Sequence, residues 1–184
     1  MKNSLSLKLI IEDVMRGDDI LYHASNQCFN KFDDSKIVDG ARGIYGWGFY
    51  FTDSIWKALD YGRFVISIDK SELNIKDSDA DITEDILKDY SKIIKLSDAS
   101  EDEKMYYDNF IYMLKKYIGR DFDMARKEVL GKFRYDANKL YSMFFKKLGY
   151  DGFKRGYEYV IFNFDKIKIL ECVPSQDYKK WKTA

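Results

Sequence analysis

Apolar and polar positions along the chain change period twice. Leu7, Ile10, Ile11, Val14 and Met15 recur at helical spacing and Gly17 follows as a stop, which predicts an amphipathic helix over residues 5–16. Residues 20–25 read as a short apolar strand ending at the one histidine, His23, and an irregular stretch with Phe29 and Phe32 comes next. Residues 49–52 have aromatic and β-branched strand character, a helix of about 54–61 capped by Asp53 or Ser54 follows, and residues 63–69 alternate weakly as a further strand. From residue 71 the period becomes helical. Ile82, Ile86, Leu87, Tyr90, Ile93 and Ile94 form one stripe. Ser100 with Glu103 makes a capping box ahead of Tyr107, Phe110, Ile111, Leu114 and Ile118, and Gly119 closes that helix. Another helix is expected over 124–133, and Ala137, Leu140, Tyr141, Phe144, Phe145 and Leu148 mark a last one ending at Gly149. Strands return at 150–153, 157–163 and 167–173, where Pro174 ends the run. Strands, then helices, then strands predict an α+β fold with a mainly antiparallel sheet and a helical insertion over 71–148.

Length and charge narrow this picture only a little. The 184 residues suit one domain, 1–184, with the insertion inside it, and no Pro-rich linker divides the chain. Lys plus Arg equals Asp plus Glu at 31 each, so bulk charge gives no reason to expect nucleic acid or an anionic membrane as partner. The distribution is uneven: residues 71–108 hold twelve acids against five bases, and 109–168 hold seven acids against fourteen bases. Such runs usually mark solvated helix surfaces. Cys28 and Cys172 are too few and too far apart to suggest a disulfide framework, and one histidine without a CxxC pair leaves no credible zinc site, which points to a reducing compartment. Residues 1–11 lack the basic start and apolar run of a signal peptide, and nowhere do eighteen apolar residues follow one another. The expectation is a soluble, cytoplasmic protein without membrane contact.

Chemistry gathers around residues 40–62. Four of the eleven glycines fall at Gly40, Gly43, Gly46 and Gly48, where backbone can adopt positive φ or approach a ligand closely. No Lys-Ser or Lys-Thr follows them, so they form no P-loop, and they precede a strand rather than opening a helix as a dinucleotide fingerprint would. His23 could be the base of a Ser-His-Asp hydrolase, but there is no Gly-x-Ser-x-Gly elbow.

Three segments taken together say more. His23-Ala24-Ser25, then Gly46-Trp47-Gly48-Phe49-Tyr50-Phe51-Thr52, then Glu158-Tyr159-Val160-Ile161-Phe162 resemble the His-Tyr-Glu branch of the ADP-ribosyltransferase superfamily, which includes poly(ADP-ribose) polymerases and diphtheria toxin. A second family tyrosine lies eleven residues after the first, and Tyr61 stands eleven after Tyr50. The resemblance covers about 20–70 and 149–170. It implies the family's split sheet, NAD as ADP-ribose donor, and His23, Tyr50 and Glu158 as the triad. It also implies that His23 and Ser25 hold the adenosine-side ribose, that Ala24 binds the carboxamide through its backbone, that Tyr50 and Tyr61 face the nicotinamide, and that Gly48 belongs to the cofactor loop.

Two positions depart from the family. Ala58 stands where relatives carry a hydroxyl for the carboxamide, which leaves that group to backbone alone. Gly156 stands where arginine-modifying toxins carry an acid or amide, which argues against arginine as acceptor. In a chain with fifteen tyrosines, neither Tyr50 nor Tyr61 would stand out singly; order and spacing single them out.

Cleaving the nicotinamide–ribose bond develops positive charge at the anomeric carbon, as in glycoside hydrolysis, and a carboxylate beside the ribose can oppose it. Glu158 fills that role by resemblance. The resulting expectation is an NAD-dependent mono-ADP-ribosyltransferase acting on a protein of a bacterial host or phage target, with 71–148 recognising it. A binding module without turnover, an NAD glycohydrolase and a transferase acting on nucleic acid remain as alternatives.

Overall fold

The structure is a computed structural model and describes residues 19–33, 35, 37, 46–93, 100–133 and 137–179. The expected helix over 5–16, and Gly40 and Gly43 of the glycine loop, lie outside the described residues. The class is α+β, as expected, with seven strands and six helices among the described residues. The chain divides into two compact units, the first formed by residues 1–32, 51–72 and 165–184, the second by 33–50 and 73–164.

The first unit holds β1 (Ile20–Ser25), the end of β2 (Phe49–Thr52), α1 (Ile55–Ala58), β3 (Phe64–Asp69), β7 (Lys168–Pro174) and α6 (Ser175–Lys179). Strand order is β2-β1-β3-β7, antiparallel throughout, with His23 opposite Ile66 and Ile66 opposite Cys172. Because side chains alternate along a strand, each face collects its own set. Ile20, Tyr22, Val65, Ala58, Leu59 and Tyr178 form one buried cluster. His23 meets Phe29, Phe32 and Phe51.

Two features here were not expected. Helix α6 begins right after Pro174, and its buried Ser175 donates from N to Arg63 O at 2.8 Å and from Oγ to Gly62 O at 2.7 Å. Cys28 and Cys172 form a disulfide, against the expectation of two unpaired cysteines. Their separation of 144 residues vanishes because β7 pairs with β3 and β3 with β1, which brings the loop after β1 to β7 with 5.9 Å between Cα atoms.

The second unit holds the start of β2, β4 (Ile75–Asp77), α2 (Glu84–Ile93), α3 (Glu101–Lys116), α4 (Phe122–Phe133), α5 (Ala137–Lys147), β5 (Gly152–Arg155) and β6 (Glu158–Ile161). β4 corrects the purely helical reading of 71–148: it pairs in parallel with β5, which in turn pairs antiparallel with β6. Arg155 lies opposite Glu158, so Gly156 and Tyr157 alone make the hairpin turn. Gly156 takes φ +55°, the left-handed region that two-residue hairpins demand. The capping box is present as read, with Glu103 N donating to Ser100 Oγ at 3.2 Å and Ser100 N to the Glu103 carboxylate at 2.8 Å. The helical stripes meet in an aromatic core in which Phe110 and Phe144 pack edge to face with centroids 4.7 Å apart, and Tyr141, Phe145 and Phe153 complete the contacts. Among the described residues, no helix is long and apolar enough to cross a membrane.

Candidate functional site

In the first unit, β1 delivers His23, Ala24 and Ser25 half-buried at its C-terminal end. The His23 ring is wedged by aromatic edges, its centroid 5.3 Å from Phe32 and 5.4 Å from Phe51. Ser25 Oγ accepts from Gln27 N at 3.3 Å. Next to this strand end runs the segment after α1. A Cβ on Gly62 would lie 2.6 Å from both Ser25 N and Ser25 O, so only a glycine lets the two backbones touch. Residue 61 is thereby displayed beside Ser25, and the Tyr61 ring is 80% exposed, open to stack on a planar group. Gly62 carried no role in the sequence reading; its place directly after Tyr61 was the available signal. Gly62→Ala is expected to destabilise the protein by about 1–3 kcal/mol, because rigid backbone rather than a flexible side chain must give way. Urea unfolding checks this, and an unchanged midpoint would contradict the contact.

Ala58, where the family carries a hydroxyl, is buried in the cluster with Ile20, Tyr22 and Val65. A hydroxyl there would need a partner that this apolar cluster lacks. Ser54 occupies the N-cap position of α1, but its side chain makes no cap hydrogen bond, contrary to the expected role, and the helix is correspondingly short.

In the second unit, residues 46–50 form a tightly braced turn. Tyr50 Oη donates to Gly46 O at 2.8 Å and accepts from Gly46 N at 3.1 Å, closing the loop on itself. Trp47 N donates to the buried Ser142 Oγ of α5 at 2.9 Å. Gly48 has φ +153°, and a Cβ on it would meet Ile161 O at 2.5 Å. The glycine is therefore required for close approach to β6, whatever it also offers a ligand. Tyr50 itself is half-buried and packs against the aromatic core, so one face of its ring is held in place.

Glu158 opens β6 directly after the turn and is half-buried. Arg155 faces it across the hairpin, yet the guanidinium turns to Asp123, 2.8 Å away. Asp123 is almost fully buried and collects Arg126 at 2.8 Å and Lys127 at 2.8 Å as well. Burial pushes its carboxyl up, but hydrogen bonds from Lys127 and Arg126 and the charges of Arg126 and Arg155 outweigh that and hold it below the usual carboxylate range. With Arg155 so engaged, no cation among the described residues is paired with the Glu158 carboxylate. Sequence reading missed this network; the only local trace was the Asp123–Arg126–Lys127 spacing, which puts all three on one helix face.

No family model matches the chain, and comparison with curated proteins and with solved structures finds no match. The site therefore rests on its own geometry. Tyr50, Gly48 and Glu158 belong to the second unit, and His23, Ala24, Ser25 and Tyr61 to the first. Within the first, the Gly62 contact brings Tyr61 next to Ser25. Within the second, Gly48 lies against Ile161 on the strand that Glu158 begins. Among the described residues, no group of three or more His, Cys, Asp or Glu side chains could hold a metal ion.

Proposed function

We propose that this chain is an NAD-dependent mono-ADP-ribosyltransferase with the family's split-sheet fold, breaking the nicotinamide–ribose bond of NAD and passing ADP-ribose to a protein. The observation that carries the reading is the ordered set His23-x-Ser25, Gly46-x-Gly48-x-Tyr50-Phe51-Thr52, Tyr61 and Glu158-Tyr159-Val160-Ile161-Phe162, whose His23, Tyr50 and Glu158 each fall on a strand. An exposed Tyr61 ring and a Glu158 carboxylate with no cation paired to it among the described residues fit the two tasks the chemistry sets.

In the reaction, a nucleophile on the acceptor forms a bond to C1′ of the nicotinamide ribose as the C1′–N bond breaks. The bonding pair returns to the pyridinium nitrogen and nicotinamide leaves neutral, while the nucleophile gives up its proton. Positive charge grows on the ribose as the bond lengthens, and Glu158 opposes it and holds the 2′-hydroxyl. His23 and Ser25 hold the other ribose, and Tyr50 and Tyr61 hold the departing ring at low entropic cost because each has few rotatable bonds.

Tyr61→Ala is expected to weaken NAD binding by about 1–3 kcal/mol, whereas Tyr61→Phe changes it little, since the ring face makes the contact. Titration calorimetry with NAD in a Glu158→Gln background, where turnover is suppressed, measures both. Equal affinities for Tyr61 and Tyr61→Ala would remove Tyr61 from the site.

Incubation with labelled NAD and whole bacterial lysate, followed by protease or nuclease digestion of parallel samples, tests the acceptor. Label released by protease as a single ADP-ribose adduct is expected. Label lost only to nuclease would overturn the protein acceptor, a ladder of polymer would overturn single transfer, and free ADP-ribose without labelled macromolecule would make the chain a glycohydrolase.

A further inference from the structure

We propose that Asp79 is a positioning residue for Glu158, a role that rests on the functional reading above. Asp79 lies just beyond β4, remote in sequence from the hairpin, yet its Oδ2 accepts from Gly156 N at 2.5 Å. Gly156 is the first of the two turn residues, and Glu158 is the residue that closes the turn. The carboxylate also lies 3.7 Å from the Arg155 Nε, so it grips the hairpin at the turn and at the residue opposite Glu158.

The grip is itself held. Asp79 N donates to Asp77 Oδ1 at 3.0 Å, and the preceding Ser78, buried, sends both N (2.9 Å) and Oγ (2.6 Å) to Lys154 O. Phe122 N donates to Ser78 O at 3.2 Å, which ties the same segment to the helix bearing Asp123. Asp79 is thus a fixed anchor rather than a free surface acid, although its side chain is 47% exposed. That exposure separates its two possible contributions. A hydrogen bond to an exposed turn amide adds little to global stability because water replaces it, while a two-residue turn that rocks carries Glu158 with it. Misplacing a reacting group by about an ångström can lower a rate on the order of a hundredfold.

The test compares Asp79→Ala and Asp79→Asn, each with and without Glu158→Gln, by nicotinamide release from NAD, by urea unfolding, and by amide hydrogen exchange at residues 156–158. Asp79→Ala is expected to lower kcat roughly 10- to 100-fold, as loss of an orienting partner typically does, with KM for NAD changed less than about twofold. The urea midpoint should barely move, and exchange at Gly156 should quicken. Asp79→Asn keeps an acceptor oxygen and should retain most of the turnover. In the Glu158→Gln background, Asp79→Ala should add almost nothing, because the group it positions is already disabled. An equal kcat loss in both backgrounds, or a loss accompanied by global destabilisation of the same size, would make Asp79 merely structural and overturn the proposal. A parent chain that releases no nicotinamide would instead overturn the functional reading, and with it this role.

Discussion

Glu158→Gln is expected to lower turnover of NAD by roughly 10²- to 10³-fold, about 3–4 kcal/mol of transition-state stabilisation, with NAD affinity nearly unchanged. Glutamine keeps the shape and an oxygen for the 2′-hydroxyl but removes the negative charge. The loss therefore falls on the step in which the ribose becomes cationic rather than on binding, and appears in kcat and kcat/KM alike. Glu158 is suited to this task because its hairpin leaves it uncommitted: Arg155, which would otherwise neutralise it across the strand pair, is drawn to Asp123. His23→Ala provides the contrast, since it should weaken NAD binding while leaving the chemical step largely intact. If Glu158→Gln turned over NAD like the parent, the assignment of the triad would be wrong.

Asp123→Asn should destabilise the fold by about 3–5 kcal/mol. The substitution leaves Arg126, 3% exposed, without its anion, and an uncompensated buried charge is far more costly than a lost surface pair. What remains to Arg126 is Asn138 Oδ1 at 3.4 Å and the Tyr141 ring at 5.8 Å, neither of them charged. Lys127→Ala is the control: that lysine is 61% exposed, so its removal should change stability by no more than about 1 kcal/mol. Asp123 also gives the difference a pH signature. Its folded carboxyl ionises below the unfolded one, so its contribution is fully present above the ordinary carboxylate range and fades as pH falls through the depressed folded value. The gap between parent and Asp123→Asn in urea midpoint should accordingly narrow on acidification. Equal costs for Asp123→Asn and Lys127→Ala at neutral pH would show that the buried cluster is not what holds α4 to the hairpin.

Elements with a strong local signature were legible in the chain. Ser100 and Glu103 announced the start of α3, and the Phe110, Tyr141, Phe144 and Phe145 periodicity announced the aromatic core, because helical side chains three and four apart must share a face. The strands bearing His23, Tyr50 and Glu158 were found within a few residues for the analogous reason of period-two burial. β4 was not: three residues, Ile75-Lys76-Asp77, are too short and too polar to signal a strand, and only pairing with β5 makes them one. The Cys28–Cys172 bond, the Gly62–Ser25 contact, and the grip of Asp79 and Asp123 on the hairpin share that origin. Each joins residues whose proximity exists only once the strands have paired. In the candidate site, residue identities and order were therefore readable, and the parts that brace them were not.

The central claim is that this chain splits NAD at the nicotinamide–ribose bond using Glu158. Direct quantification of nicotinamide released from NAD, with bacterial lysate present as acceptor, addresses it in one assay. Release proportional to enzyme and reduced roughly 10²- to 10³-fold by Glu158→Gln is the result expected here. No release by the parent chain at high enzyme concentration would contradict the claim and leave at most a module that binds NAD or ADP-ribose without turnover.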